Sequence, residues 1–192
     1  MIHVMHNSSH TGWHSRGYLP HLDKPFHIQT INFRSADSLP AKVLKKLEQD
    51  FPKGNESGKR KRIEEYLNSG YGACHLVKPK IARVIEEMLV KFDGERYRLI
   101  AWVIMPNHVH AIIEIIEGYS LKKIMHSWKS YTANVANKIL GRSGKFWYRE
   151  YFDRYVRDAD HLENAIKYVR WNPVKAGLVK EPEDWRFSSA RF

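Results

Sequence analysis

The stretch YRLIAWVIMPNHVHAIIEII, residues 97–116, decides the fold of this 192-residue chain. Its two apolar segments, 97–105 and 108–116, are rich in β-branched and aromatic residues, which is typical of buried strands. Only Pro106 and Asn107 separate them, and two residues are far too few for the crossover connection that parallel strands need. The stretch therefore predicts an antiparallel β-hairpin.

Strand and helix patterns alternate on either side of this hairpin. Alternating apolar residues predict strands at 26–33 and 151–157. Apolar residues at helical spacing predict helices at 41–49, at 58–68, from Pro79 to Gly94, from Ser120 to Gly141 and from Asp160 to about Trp171. The resulting β-α-β-β-α-β order, with a helical insertion after the first strand and an extra C-terminal helix, predicts an α+β, ferredoxin-like antiparallel sheet with helices on one face.

The composition excludes several classes of protein. A single cysteine, Cys74, rules out an internal disulfide framework and a cysteine-based zinc cage. No segment approaches the ~18 apolar residues of a membrane-spanning helix, and the N-terminus lacks the apolar segment of a secretory signal. These features predict a cytoplasmic protein.

The net charge of +11 indicates a polyanionic partner. The basic excess is spread over residues 41–192 rather than held in a tail, and no amphipathic helix combines a basic face with aromatic anchors. Nucleic acid is therefore favoured over a membrane surface, and we expect the protein to associate with the nucleoid.

The first 24 residues differ from the remainder of the chain. They are polar and rich in histidine, and they have no period of 2 or 3.6, so we predict an irregular arm over 1–24 and a single domain over 25–192. The histidines of the arm have no fixed ligand spacing, which argues against a metal site there. Trp13 and Arg16 suit an arm that stacks on bases and neutralises phosphate.

His108-Val109-His110 is a candidate metal site at the start of the second hairpin strand. Side chains alternate along a strand, so both imidazoles project to the same side and can share a divalent ion. The motif does not fit a histidine-triad hydrolase, which needs an imidazole where Ile112 stands, or a zincin, whose histidines lie on a helix. A metal site here needs a third ligand from elsewhere, and the alternative is a pair of surface histidines.

The last predicted helix offers such a ligand. At ~100° per residue, His161, Tyr168 and Asn172 form a stripe beside its apolar face, with Tyr168 and Asn172 one turn apart. An amide oxygen suits Mg²⁺ or Mn²⁺, and a phenol beside a metal-bound phosphate can act as a nucleophile. The alternative for Tyr168 is an interfacial tyrosine with a solvated hydroxyl.

Four segments resemble the single-tyrosine HUH transposases (IS200-like), and in particular their REP-associated tyrosine transposase branch. The segments are MPNHVH (105–110), FWYREYFDRYVRD (146–158), AIKYVRWNPVKAGLV (165–179) and DWRFSSA (184–190). The resemblance implies that His108 and His110 bind Mg²⁺ or Mn²⁺, that Asn172 is the third metal ligand, and that Tyr168 on the extra C-terminal helix is the catalytic nucleophile.

The resemblance also implies a reaction and a substrate. The activity would be a metal-dependent endonuclease and strand transferase that cuts and rejoins single-stranded DNA next to hairpins, through a 5′-phosphotyrosine intermediate. The substrate would be repetitive extragenic palindromes (REP), and the protein would act as a monomer or a homodimer. Two alternatives are a hairpin-binding protein without catalysis, such as a domesticated transposase or regulator, and a metal-dependent phosphodiesterase acting on nucleotides.

Charge and aromatic character suggest which residues contact DNA. Basic side chains spread over the folded domain would contact backbone phosphates and make binding salt-dependent. The candidates are Trp13, Arg16, Arg34, Lys122, Lys123, Arg154 and Lys175.

Overall fold

A computed structural model describes residues 12–15, 20–23, 26–51 and 55–192. The strands are β1 (Gly12–Ser15), β2 (Pro20–Asp23), β3 (Ile28–Arg34), β4 (Tyr97–Ile104), β5 (His108–Ile115) and β6 (Phe152–Tyr155). The α-helices are α1 (Ala41–Asp50), α2 (Glu56–Asn68), α3 (Pro79–Val90), α4 (Leu121–Leu140) and α5 (Ala159–Lys175). Of the helices in the described ranges, none combines the length and the apolar character needed to cross a membrane.

The predicted hairpin is half of a four-stranded antiparallel sheet with the strand order β4-β5-β3-β6. β4 and β5 pair directly, with Ile104 opposite Val109 beside the turn. β3 lies between β5 and β6, so that Ile31 has Ala111 on one side and Asp153 on the other. The prediction of a mixed α+β protein built on one central antiparallel sheet is confirmed.

The two faces of this sheet are covered by different helices. Val109 and Ile113 of β5 belong to the main core, where they pack with α3 and with Trp128 of α4. Ile112 points to the opposite face and packs with Val169 of α5. α3 and α4 therefore cover one face of the sheet and the C-terminal helix α5 covers the other, so the prediction of helices on one face only is wrong.

The segment after α5 borders the outer strand β4. The Ile104 backbone N–H donates to the Phe187 carbonyl at 2.9 Å, and the Trp102 N–H donates to Ser189 Oγ at 2.9 Å. The Trp185 indole donates to the Ile104 carbonyl, also at 2.9 Å. These bonds satisfy backbone groups that an edge strand would otherwise leave open.

The insertion between β3 and α3 is a helical pair with its own small core. Leu39, Leu47 of α1 and Leu67 of α2 form this core and are almost completely buried. The insertion is also tied to the hairpin turn, because Asn107 Nδ2 donates to the carbonyls of Leu67 at 3.1 Å and Tyr71 at 2.8 Å. The helical insertion predicted after the first strand is therefore present, and it contacts the turn between β4 and β5.

The expectation of an irregular segment over residues 1–24 is wrong in part. Gly12–Ser15 and Pro20–Asp23 form a two-stranded antiparallel sheet, with Trp13 opposite Leu22. Pairing between two short polar strands leaves no alternation of apolar residues, which explains why periodicity did not indicate them.

The predicted ends of the last helix also require correction. The helix is capped by Asp158, whose carboxylate accepts a hydrogen bond from the His161 N–H at 2.7 Å, rather than beginning at Asp160. It also continues through Pro173 to Lys175. Proline removes one backbone donor, but the next turn is still closed by the Ala176 N–H donating to the Asn172 carbonyl at 3.0 Å.

Candidate functional site

His108 and His110 project from β5 toward α5, on the opposite side from Val109. Val109 belongs to the core under α3 and α4, and side chains two residues apart on a strand share a face. The two imidazole centroids are 4.8 Å apart, and the exposed fractions of His108 and His110 are 0% and 6%. The structure therefore places both histidines in a buried polar site, which argues against the alternative of surface histidines.

Asn107 determines which nitrogen of His108 faces the site. Both donor positions of the Asn107 amide are engaged with Leu67 and Tyr71, so its Oδ1 acts as an acceptor. His108 Nδ1 lies 2.7 Å from this oxygen and must donate its proton to it. In the neutral ring, His108 Nε2 is then an unprotonated acceptor. Within the described part of the chain, this buried nitrogen has no hydrogen-bond partner.

Helix α5 brings Tyr168 and Asn172 to the same pair of histidines. The two residues are one helical turn apart and therefore share a surface of the helix. Asn172 is fully buried, and its Nδ2 donates to His110 Nε2 at 3.2 Å. The Tyr168 ring centroid lies 5.7 Å from that of His110. The four residues that the sequence singled out as metal ligands and nucleophile thus converge in one chain.

Burial keeps both imidazoles neutral. Desolvation lowers the pKa of His110 to about 4. It lowers the pKa of His108 well below the ordinary value, and the neighbouring His110 lowers it further. Protonating either ring would place a charge where water is excluded. At neutral pH both rings are therefore neutral, the form that binds metal ions; His108 Nε2 has no partner among the described residues, while His110 Nε2 accepts the hydrogen bond from Asn172.

Glu64 of α2 is a site residue that the sequence analysis did not identify. The Tyr168 hydroxyl donates a hydrogen bond to Glu64 Oε1. The same oxygen lies 3.9 Å from His110 Nε2, and because His110 is neutral this contact is not an ion pair. Glu64 lies shortly after the basic run at 59–62. Helical periodicity does not predict that the side of α2 that carries Glu64 faces the histidines.

The hydroxyl of Tyr168 is held in its protonated form. Burial, followed by the charge of Glu64, raises the pKa of Tyr168 far above its ordinary value of 10.0. Burial also raises the pKa of Glu64. Lys175 Nζ lies 4.5 Å from the centroid of the Tyr168 ring. The phenol therefore has a carboxylate and an ammonium group as neighbours.

A cleft of about 700 Å³ opens from this site between the insertion, the sheet and α5. His110, Glu64 and Tyr168 are among its lining residues. Its walls carry cationic and aromatic side chains, including Lys59, Arg60, Arg154, Tyr148 and Phe152. The Arg60 guanidinium lies 4.6 Å from the Phe152 ring centroid. Such a combination suits a polyanionic ligand with flat, stackable groups.

The structure brings some of the predicted DNA-binding residues to this cleft. Arg34 lines it, but the residue is buried: its guanidinium lies 3.6 Å from the Tyr148 ring centroid and donates to Ser38 Oγ at 2.9 Å. Burial lowers the pKa of Arg34 to about 10. Arg154 lines the cleft with an exposed side chain, and Lys175 contacts Tyr168.

Other predicted DNA-binding residues do not lie at the cleft. Lys122 and Lys123 are exposed in the first turn of α4, which packs on the opposite face of the sheet from α5. Arg16 lies outside the described residues. The backbone of Trp13 belongs to β1, but its side chain is outside the described part of the structure.

The buried polar atoms of the site fit a divalent metal ion. His108 Nε2 and Asn172 Oδ1 are both buried, and neither has a hydrogen-bond partner among the described residues. Uncompensated buried acceptors are costly unless a cation or water satisfies them. Within the described ranges, no group of three or more His, Cys, Asp or Glu side chains is placed to hold a metal. The Asn172 amide is therefore needed for a third ligand.

Comparisons with known proteins point to one family. Residues 74–172 match the family model described as Transposase IS200 like. A REP-associated tyrosine transposase of Escherichia coli is 24% identical over 110 residues, which cover 56% of this chain and 63% of the relative. A Haemophilus influenzae protein assigned provisionally to the same group is 27% identical over 104 residues, or 48% of this chain and 58% of the relative. The chain thus spans about 60% of the length of either relative.

A solved structure shows the same fold. It is described as a REP-associated tyrosine transposase bound to a REP hairpin, and it superposes with a TM-score of 0.60 over 91% of this chain and 83% of its own. Its sequence identity is 16%, so the likeness concerns the fold alone. Since the family match spans more than half of the 192 residues, the chain belongs to the IS200-like transposases, as its sequence motifs predicted.

Proposed function

We propose that this protein is a metal-dependent endonuclease and strand transferase that cuts and rejoins single-stranded DNA beside hairpins. The observation that carries the proposal is the convergence of two neutral imidazoles, the Asn172 amide and the Tyr168 hydroxyl beside a cleft whose walls carry cationic and aromatic side chains. A nucleotide phosphodiesterase would leave Tyr168 without a role, and the buried acceptors His108 Nε2 and Asn172 Oδ1 support a cation at this cluster.

His108, His110 and Asn172 would hold the cation, Mg²⁺ or Mn²⁺. When bound, the cation supplies positive charge that stabilises the negative charge building on the phosphate oxygens. Two neutral imidazoles and one amide oxygen would form an uncharged ligand set of mixed nitrogen and oxygen donors, which suits Mn²⁺ and Mg²⁺. The bond from His108 Nδ1 to Asn107 keeps the ring oriented.

Tyr168 would be the nucleophile. Its hydroxyl oxygen forms a bond to the phosphorus while the bond from phosphorus to the 3′ oxygen breaks, and the phenolic proton is transferred to solvent or the leaving oxygen. The products are a 5′-phosphotyrosine and a free 3′-hydroxyl. Because the covalent link conserves the phosphodiester, a second 3′-hydroxyl can attack it and rejoin the strands.

The substrate would be a hairpin with a single-stranded flank, of the REP type named for the E. coli relative and the superposed structure. The cleft supports this proposal with cationic side chains for backbone phosphates and aromatic rings for unpaired bases. Such a protein would work on chromosomal DNA, at the nucleoid.

We further propose that the domain is ferredoxin-like and that α5 is its nucleophile-bearing helix. The strand order β4-β5-β3-β6 and the position of α5 against the histidine-bearing face support this assignment. The contact of Tyr168 with His110 of its own chain supports a site formed within one subunit. We therefore propose that the reaction occurs in cis, in a monomer.

A denaturing gel tests the proposal. The protein is incubated with Mn²⁺ and end-labelled single-stranded oligonucleotides that carry a hairpin and flanking sequence. We expect a covalent protein–DNA adduct that is absent in Tyr168→Phe and in His110→Gln. Cleavage without an adduct would instead indicate a phosphodiesterase, and hairpin binding without cleavage would indicate a non-catalytic binding protein.

A further inference from the structure

We propose that Glu64, supplied by the helical insertion, is a fourth ligand of the divalent cation and exchanges between that cation and the Tyr168 hydroxyl. This inference rests on the proposed function, because it assumes a metal at His108, His110 and Asn172. It adds to that site a charged group from a separate part of the chain.

The backbone holds Glu64 in a fixed relation to the histidines. The carbonyl of Leu67, three residues further along α2, accepts a hydrogen bond from the Asn107 amide. The oxygen of the same amide accepts the proton of His108 Nδ1. Residue 107 therefore ties the last turns of α2 directly to the metal-binding strand, so Glu64 does not depend on a mobile loop for its position.

Among the described residues, Glu64 is not placed together with His108 and His110 to hold a metal, so its carboxylate would have to move to reach the proposed metal position. Glu64 Oε1 lies 3.9 Å from His110 Nε2. Adjacent ligands on a six-coordinate Mg²⁺ lie about 3 Å apart, given metal–oxygen bonds of ~2.1 Å. The oxygen must therefore approach the imidazole by about 1 Å, which rotation of the glutamate side chain can provide without movement of α2.

Charge gives a reason for the carboxylate to bind the cation. The two imidazoles are neutral at pH 7, and the Asn172 amide carries no charge. Glu64 would provide the single negative charge of the ligand set, which strengthens binding of a hard dication. The same carboxylate would repel a DNA phosphate if no cation were bound, so cation and substrate would be expected to bind together.

Movement of Glu64 from Tyr168 to the cation would change the state of the Tyr168 hydroxyl. In the structure, Glu64 Oε1 accepts the proton of the nucleophile. A carboxylate oxygen engaged with a cation is a weaker acceptor, so metal binding would release the phenol toward the phosphate. Lys175, beside the Tyr168 ring, remains available to compensate charge on the phenol oxygen.

Mn²⁺ binding to the full chain, measured by electron paramagnetic resonance of the free ion, tests the inference without reference to activity. We expect Glu64→Gln to weaken Mn²⁺ binding by about tenfold or more. Glu65→Gln is the matched control: it removes the same charge one position along the helix, where Glu65 is exposed and pairs with Arg62 at 2.6 Å. The control should change the affinity by less than about twofold.

The outcomes separate this inference from the proposed function. Equal Mn²⁺ affinities for Glu64→Gln and Glu65→Gln would overturn the role of Glu64, while loss of binding in His110→Gln would leave the metal site standing. An unchanged affinity in His110→Gln would overturn the metal site itself. Glu64→Asp, which keeps the charge on a shorter side chain, should bind Mn²⁺ better than Glu64→Gln. If circular dichroism shows that Glu64→Gln does not fold, the Mn²⁺ affinity of Glu64→Asp is compared with that of Glu65→Gln instead. Weaker binding by Glu64→Asp would support the role of Glu64 as a ligand, and equal binding would overturn it.

Discussion

The two faces of the central sheet use the same strands for different purposes. Toward α3 and α4, β5 contributes Val109 and Ile113, both fully buried among apolar side chains. Toward α5, the same strand contributes His108 and His110, also buried but surrounded by polar groups. The first face contributes apolar packing, while the second combines apolar packing, such as Ile112 on Val169, with polar atoms whose hydrogen-bonding capacity is not fully used. The candidate reactive groups of β5 thus lie on one face only, because side chains alternate along a strand.

The largest effect that this comparison predicts is on the reactive face. Tyr168→Phe removes only the oxygen of the proposed nucleophile, so formation of the covalent adduct should fall by a factor on the order of 10³ or more. The free energy of unfolding should change by less than about 1 kcal/mol, because the half-buried ring remains packed. A denaturing gel and urea unfolding measure the two quantities, and full adduct formation in the variant would exclude Tyr168 as the nucleophile.

The opposite face should respond in the opposite way. Ile113→Ala removes a fully buried side chain from the main core, so we expect a loss of about 2–5 kcal/mol in unfolding free energy. Adduct formation per folded molecule should stay within about threefold of wild type, because no group of the site contacts the substituted side chain. A destabilisation of Tyr168→Phe as large as that of Ile113→Ala would contradict the separation of the two faces.

Low pH should destabilise the folded protein through His110, which lies on the α5 face of the sheet. The pKa of His110 is about 4 when folded, against an ordinary value of 6.5. Between these values the unfolded chain binds more protons, so the stability contributed by neutral His110 is present above pH 6.5 and is lost as the pH falls toward 4. Between pH 7 and pH 5, the ionisation of His110 should lower the free energy of unfolding by about 2 kcal/mol.

Urea unfolding of wild type and His110→Gln at both pH values measures this contribution. The raised pKa of Glu64 makes its contribution to stability change with pH in the opposite direction. Because both proteins contain Glu64, this contribution largely cancels when their unfolding free energies are subtracted. Identical pH dependence in the two proteins would show that His110 keeps an ordinary pKa when folded.

The smallest expected effect is on DNA binding, and it distinguishes basic residues on the two sides of the molecule. Arg154 lines the cleft, whereas Lys122 lies at the start of α4 on the other face. Arg154→Ala should weaken hairpin DNA binding several-fold and reduce the slope of log K against log salt by about 1. Lys122→Ala should leave the slope unchanged. Fluorescence anisotropy over a salt series measures both, and equal slopes for the two variants would show that DNA does not follow the cleft.

Local sequence patterns predicted most of the sheet and its covering helices. The Pro106-Asn107 turn left only an antiparallel hairpin, and apolar spacing marked α3 and α4, because these elements bury continuous faces. Element ends were less predictable. Asp158 caps α5 through a hydrogen bond to His161, and the helix tolerates Pro173 because the following turn still closes.

The candidate site was predictable where its residues lie on one element and unpredictable where elements meet. His108 and His110 follow from strand alternation, and Tyr168 and Asn172 follow from helical spacing together with the family resemblance. Glu64 could not be found in this way, because its position depends on how the insertion docks against Asn107. The opposite positions of Lys122 and Arg154 likewise depend on which face each element covers, a property of the tertiary fold.

The site draws on distant parts of the chain, and this has a consequence during synthesis. Tyr168 and Glu64 are 104 residues apart in sequence, and Asn172 and His110 are 62 apart. A ribosome-bound chain that has folded its hairpin and insertion still lacks both groups of α5, since domains form from the N-terminus onward as they emerge. A translation product that ends before α5 therefore lacks the proposed nucleophile Tyr168, and such a truncated copy would be expected to bind DNA without cutting it.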